Sequence, residues 1–171
     1  MGAVMAIEKF HAIGQKALVA FKVLWYILLF SLSTATMAHF SKANVTSSAG
    51  KAALGLSVVL FLMTLALPFG KMICRGEDLA TSNRNFLIFF GVYFVWSMIV
   101  MIVASQAYKK AESGEEQGNK DKILQARNCA IAHFVFILIY FLASVLVIHT
   151  TAFTPDIVST RYARQDWFMY P

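Results

Sequence analysis

The residues of this 171-residue chain best suited to chemistry are two of its four histidines, His39 and His133. Both lie in or at the edge of long apolar runs that contain no Asp or Glu. An imidazole can ligate a metal or haem, or hydrogen-bond a quinone headgroup. In an antiparallel bundle the end of the first run and the start of the last share one level. The expectation is therefore that His39 and His133 approach one another, as a candidate cofactor-binding pair. A third nitrogen, thiol or carboxylate at ligand spacing is missing, which argues against a metal centre. The competing reading puts His39 among headgroups and His133 in a hydrogen bond between helices. His149, at the far end of the last run, reads as interfacial. Cys74 has one electropositive neighbour, Arg75, which alone does not make a reactive thiol. No nucleophile elbow, P-loop, dinucleotide fingerprint or zinc-ligand spacing occurs. The reading is non-enzymatic, with no catalytic residue, no metal and no cofactor beyond bound phospholipid.

The elements that carry these residues are apolar segments of membrane-spanning length. The run Cys129–His149 is long enough to cross a hydrocarbon core, which takes roughly 20 helical residues. His133, Tyr140 and Ser144 fall at i, i+7 and i+11, on one helical face. The other spans are read at residues 17–40, 52–69 and 86–104. Each carries its own polar positions: Ser31 and Thr34 in the first, Ser57 and Thr64 in the second, Tyr93 and Ser97 in the third. Together these nine residues form the expected helix-packing seam. Small residues such as Ala49, Ala53 and Ser57 allow close backbone approach. In the aromatic third span, Phe90, Phe94 and Trp96 are expected to face lipid or a neighbouring protein.

Composition supports the membrane reading. The chain is 58% hydrophobic and 14% charged, whereas soluble domains run near 45–50% and about 25%. Mean hydropathy is +0.63. The net charge of +6 comes from cations that flank the apolar runs. That placement suits anionic headgroups and excludes nucleic acid as the natural partner. With both termini on one side, eight Lys/Arg lie on that side and seven on the other. The positive-inside rule scarcely separates the two orientations.

The connectors are short and polar. Residues 41–51 include the sequon Asn44-Val45-Thr46, close to two membrane ends and read as unmodified. Cys74 and Cys129 fall near opposite membrane faces, too far apart to bridge. Residues 105–128 read as two protruding helix ends joined by a glycine-containing turn. The N-terminal sixteen residues are moderately amphipathic. The C-terminal tail holds Tyr162, Trp167, Phe168 and Tyr170, expected to contact headgroups or a partner.

The fold expected is all-α: an integral membrane antiparallel four-helix bundle in one domain spanning residues 1–171, with a short membrane-surface tail. In outline, four spans with both termini on one side and short loops, the chain resembles the MARVEL-type tetraspans. That resemblance implies a stand-alone membrane organiser and assigns no residues. The first functional reading is a non-catalytic accessory subunit of a larger membrane complex, energy-converting complexes included, partnered by lipids and other integral membrane subunits. A small redox or lipid-modifying enzyme using His39 and His133 is the third. The spans do not distinguish a mitochondrial inner membrane from a plasma membrane.

Overall fold

The structure, a computed structural model, describes the backbone of residues 2–70, 79–114 and 119–153. Helical side chains are described at Ala20 and beyond, apart from residues 79–84, 86, 87 and 143–153. Four long helices fill this backbone: α1 (Gly2–Lys42), α2 (Ser48–Ala66), α3 (Leu79–Glu112) and α4 (Lys120–Phe153). Each contains a stretch long and apolar enough to cross a membrane. The protein is a multi-pass membrane bundle. Its helices extend past the apolar runs, so the bundle is taller than hydropathy alone suggests.

Local chemistry sets the ends of the helices. At the end of α1, Ala43 N–H donates to the His39 carbonyl at 2.9 Å. Asn44 then takes φ 50°, the left-handed conformation that asparagine tolerates best among residues with a side chain. Ser47 caps α2, accepting from Gly50 N–H at 3.0 Å. A 3-10 turn, Leu67–Phe69, closes α2 around Pro68. Gly114, at φ 83°, turns the chain out of α3. The two connectors at this end are tied together: Asn119 N–H donates to the Ala43 carbonyl at 3.3 Å. Lys122 Nζ reaches the Lys42 carbonyl at 3.2 Å.

Each helix packs on two neighbours, in the cyclic order α1, α2, α3, α4. The buried positions follow one rule. They are Leu29, Ser33, Thr36 and Phe40 on α1, continued by Ala43 just past its end, and Gly50, Ala53, Ser57, Leu60 and Thr64 on α2. On α3 they are Phe90, Tyr93, Ser97, Val100, Ala104, Ala107 and Ala111. On α4 they are Ile123, Ala126, Ala130, His133 and Ile137. Every list steps by alternating threes and fours. That is the heptad seam of left-handed, knobs-into-holes packing. Small residues dominate the connector end, where Ala104, Ala107 and Ala111 meet Ile123, Ala126 and Ala130. Large aromatics fill the other end, with Phe90 against Tyr140 at 5.4 Å and Trp25 edge-on to Phe136 at 5.3 Å.

Two expectations are corrected here. Ser31 is exposed and lies off the α1 heptad; its hydroxyl bonds the Ile27 carbonyl of its own helix. Thr34 is half-buried and likewise bonds Phe30. The α1 hydroxyls in the seam are Ser33 and Thr36. The aromatics of α3 do not simply face outward. Phe90 is buried, Phe94 packs on Phe134 and Phe141, and the Trp96 indole N–H donates to the Leu56 carbonyl of α2 at 3.2 Å. Each is a helix–helix contact. Calls at residues 71–78, 115–118 and 154–171, Cys74 and the tail residues Tyr162, Trp167, Phe168 and Tyr170 among them, lie outside the described residues.

The seam makes a direct prediction. Ala126 is fully buried between α4 and its neighbours, so Ala126→Leu overpacks it and costs about 1–3 kcal/mol. This is read as a lower Tm of the purified protein in detergent. Ile139→Leu, on the exposed face of the same helix, leaves Tm unchanged.

Candidate functional site

His133 is the most polar side chain in the seam and is fully buried. The heptad phase of α4 turns it inward, between Ala130 and Ile137. Two side chains of α3 meet it, and a third, on α2, meets one of those. Tyr93 OH lies 3.0 Å from His133 Nε2, and Ser97 Oγ lies 3.1 Å from Nδ1. Tyr93 and Ser97 are one turn apart on α3, so a single helix face holds both edges of the imidazole. Tyr93 OH also lies 2.9 Å from Thr64 Oγ1 on α2, and Thr64 Oγ1 donates to the Leu60 carbonyl at 2.8 Å.

Counting hydrogens orients this chain. Thr64 has one hydroxyl hydrogen, and it is directed to Leu60. Tyr93 must therefore donate to Thr64. The Tyr93 oxygen then accepts from His133, which puts the imidazole hydrogen on Nε2. Nδ1 carries a lone pair and accepts from Ser97. In this one arrangement every hydrogen in the series finds an acceptor. The opposite tautomer leaves the Ser97 hydroxyl hydrogen without an acceptor among the described residues. The imidazole is neutral and its tautomer is set by its neighbours.

His39 lies elsewhere. It is half-buried near the end of α1, one turn before Ala43. Ala43 is level with Asn119, and His133 lies fourteen residues further along α4. At about 1.5 Å of rise per residue, His133 sits roughly 15 Å deeper in the bundle than His39. The expected approach of the two histidines fails. The last helix begins at Lys120, nine residues before the apolar run, and that extension shifts the register. One metal or haem cannot take both as ligands. Among the described residues, no three or more His, Cys, Asp or Glu side chains gather as a metal site.

The other expected seam residues sort clearly. Ser57 and Thr64 are buried on α2, and Tyr93 and Ser97 on α3. Ser57, Ser33 and Thr36 bond carbonyls of their own helices, so they contribute small volume and not links between helices. Tyr140 is partly buried, beside Trp25 and Phe90. Position 144 continues the α4 heptad, and its side chain lies outside those described, as does that of His149. Sequence reasoning missed Trp96 as a link between helices. Its indole N–H is a donor that must find an acceptor when buried, and that was the available signal.

The arrangement is structural in its chemistry. It joins α2, α3 and α4 at one depth and leaves no hydrogen of the series for a ligand. Two measurements check it. Nitrogen NMR of labelled protein shows a neutral His133 carrying its hydrogen on Nε2. Tyr93→Phe leaves that N–H without its acceptor and lowers stability by about 1–3 kcal/mol, read as reversible unfolding in mixed micelles. In a double-mutant cycle with His133→Phe, the coupling is about 0.6–1.7 kcal/mol.

In comparison with known proteins, the chain matches no protein-family model, no characterised protein and no solved structure.

Proposed function

We propose that this chain is a non-catalytic subunit of a larger membrane assembly, with a packing and lipid-organising role. The observation that carries the reading is the closed hydrogen-bond series around His133. The deepest polar groups are used up in holding the bundle together. Chemistry on a substrate needs a group free to act on it, and none of these is free. The register of α1 against α4, which sets His39 and His133 at different depths, supports this reading over a cofactor shared by the two histidines.

The partners in this reading are membrane lipids and other integral membrane subunits, with phospholipid bound and no nucleic acid. The surface that would meet them is apolar: Phe21, Leu24 and Ile27 on α1, Leu62 and Leu65 on α2, Phe69 in the 3-10 turn that follows it, and similar residues on α3 and α4, all exposed. Such a surface suits acyl chains and neighbouring helices alike. The stand-alone tetraspan reading uses the same surface for lipid alone, so the two differ in what copurifies.

Extraction from native membrane in mild detergent, followed by mass determination, separates them. The expected result is comigration with a large complex of defined mass. A monodisperse particle of 19.1 kDa plus detergent overturns the subunit reading in favour of the tetraspan one. In the same preparation His39→Ala with His133→Ala leaves the visible spectrum and quinone binding unchanged.

A further inference from the structure

The exposed surface changes character sharply towards the end that carries the two described connectors. On α3 the exposed large apolar residues run Ile88, Val92, Val95 and Ile102. On α4 they run Ile131, Val135, Ile139 and Leu142. Past Ile102 the exposed α3 positions are Gln106, Lys109 and Glu112, and past Ile131 the exposed α4 positions are Asn128, Gln125, Asp121 and Lys120. The hydrocarbon edge therefore falls between Ile102 and Gln106 on one helix and between Ile131 and Asn128 on the other. Beyond it the α3/α4 hairpin stands about 12 Å into the headgroup layer and water.

Arg127 sits one turn outside that edge. Helical side chains lean towards the N-terminus, which for α4 is the water side. Its guanidinium carbon lies 4.1 Å from the centroid of the Tyr108 ring. Nε and Nη2 donate to Asn128 Oδ1 at 3.4 and 3.2 Å. These contacts hold the guanidinium plane in place but leave most of its five N–H donors uncommitted. Among the described residues no carboxylate pairs with it; the ion pair at this corner is Lys120 with Glu112, at 3.8 Å. Lys120 Nζ lies 5.9 Å from the centroid of the same Tyr108 ring, so two cations lie against one aromatic side chain.

We propose that the Arg127–Tyr108 corner of the α3/α4 hairpin binds the phosphate group of an anionic phospholipid. The guanidinium fork matches phosphate geometry. Its depth matches the phosphate plane, one turn above the apolar surface. A lipid phosphate seated there lays its acyl chains on Ile102, Ile131 and Val135, which a soluble acidic partner cannot use. The hairpin from Lys109 to Arg127 carries five cations, Lys109, Lys110, Lys120, Lys122 and Arg127, against four carboxylates, Glu112, Glu115, Glu116 and Asp121. Its net charge is small, so the selectivity rests on Arg127 itself: a guanidinium with no carboxylate paired to it among the described residues favours a headgroup with net negative charge over a zwitterionic one, whose ammonium it repels. The proposal rests on the membrane placement of the bundle and not on its assembly into a complex.

Native mass spectrometry of the full-length protein, released from micelles holding equal amounts of phosphatidylglycerol and phosphatidylcholine with the same chains, tests it. The expected result is preferential retention of phosphatidylglycerol, reduced about tenfold by Arg127→Gln and less by Arg127→Lys, which keeps the charge but loses the fork. Lys51→Gln, an exposed cation on α2 at the same end, changes retention less than twofold. Unaltered Tm certifies the fold of each variant, and Arg127→Lys carries the test if Arg127→Gln fails to fold. Equal retention of both lipids, or equal losses in the Arg127 and Lys51 variants, overturns the proposal. So does displacement of the lipid by millimolar inorganic phosphate, which marks a free-anion site. Loss of a copurifying protein from Arg127→Gln at unchanged lipid retention overturns it in favour of a protein partner.

Discussion

An imidazole at the depth of a hydrocarbon core has no water to turn to, so both of its ring nitrogens must be satisfied by the protein. Much of this bundle's geometry follows from that requirement at His133. Nδ1 needs a donor and Nε2–H an acceptor, on opposite edges of one ring. Ser97 and Tyr93 supply them from one face of α3, and the Tyr93 hydroxyl then needs an acceptor of its own. Thr64 provides it from α2 and passes its hydrogen to the Leu60 carbonyl. Sliding any of the three helices by one heptad step breaks the series and leaves a buried donor orphaned. Apolar packing between lipid-like surfaces tolerates such slides; the hydrogen-bonded series does not. It thus specifies register more than it adds stability.

The rest of the seam works through size. At the connector end, alanines on α3 and α4 bring the two backbones close, which suits a cap that stands out of the membrane and cannot rely on lipid around it. At the other end Trp25, Phe90, Phe136 and Tyr140 pack ring against ring between the helices. The Trp25 indole N–H is enclosed there without a hydrogen-bond partner among the described residues. It is a cost at the aromatic end, where rings stack by shape and offer their faces. Trp96 avoids that cost by crossing to the Leu56 carbonyl.

Much of this was legible in the residues. Four apolar runs without carboxylates imply four spans, and short connectors imply antiparallel neighbours. The polar spacing of His133, Tyr140 and Ser144 already carried the α4 heptad. On α1 the spacing was ambiguous because Ser31, Ser33, Thr34 and Thr36 place hydroxyls on every side. Only the heptad phase from Leu29 to Phe40 selects Ser33 and Thr36. The His39–His133 approach failed for a different reason. Hydropathy locates where a helix is apolar and not where it starts. The polar lead of α4, from Lys120 to Asn128, is helical, and it displaces His133 by more than two turns. The aromatics of α3 were misplaced because a ring suits lipid and protein equally, and only its partners decide.

The same extension of α3 and α4 sets where the cations of this end sit. Lys109, Lys110, Lys120, Lys122 and Arg127 were counted as one connector. They are spread over the two protruding helical ends, with Lys120 paired to Glu112 and Arg127 laid on Tyr108. A cation fastened to a protein ring at a set depth is part of a surface and not merely a topological charge. The interior of this bundle is occupied with holding its own register. Its specificity towards other molecules must then be written on the outside, where a polar cap meets an apolar belt along a sharp edge.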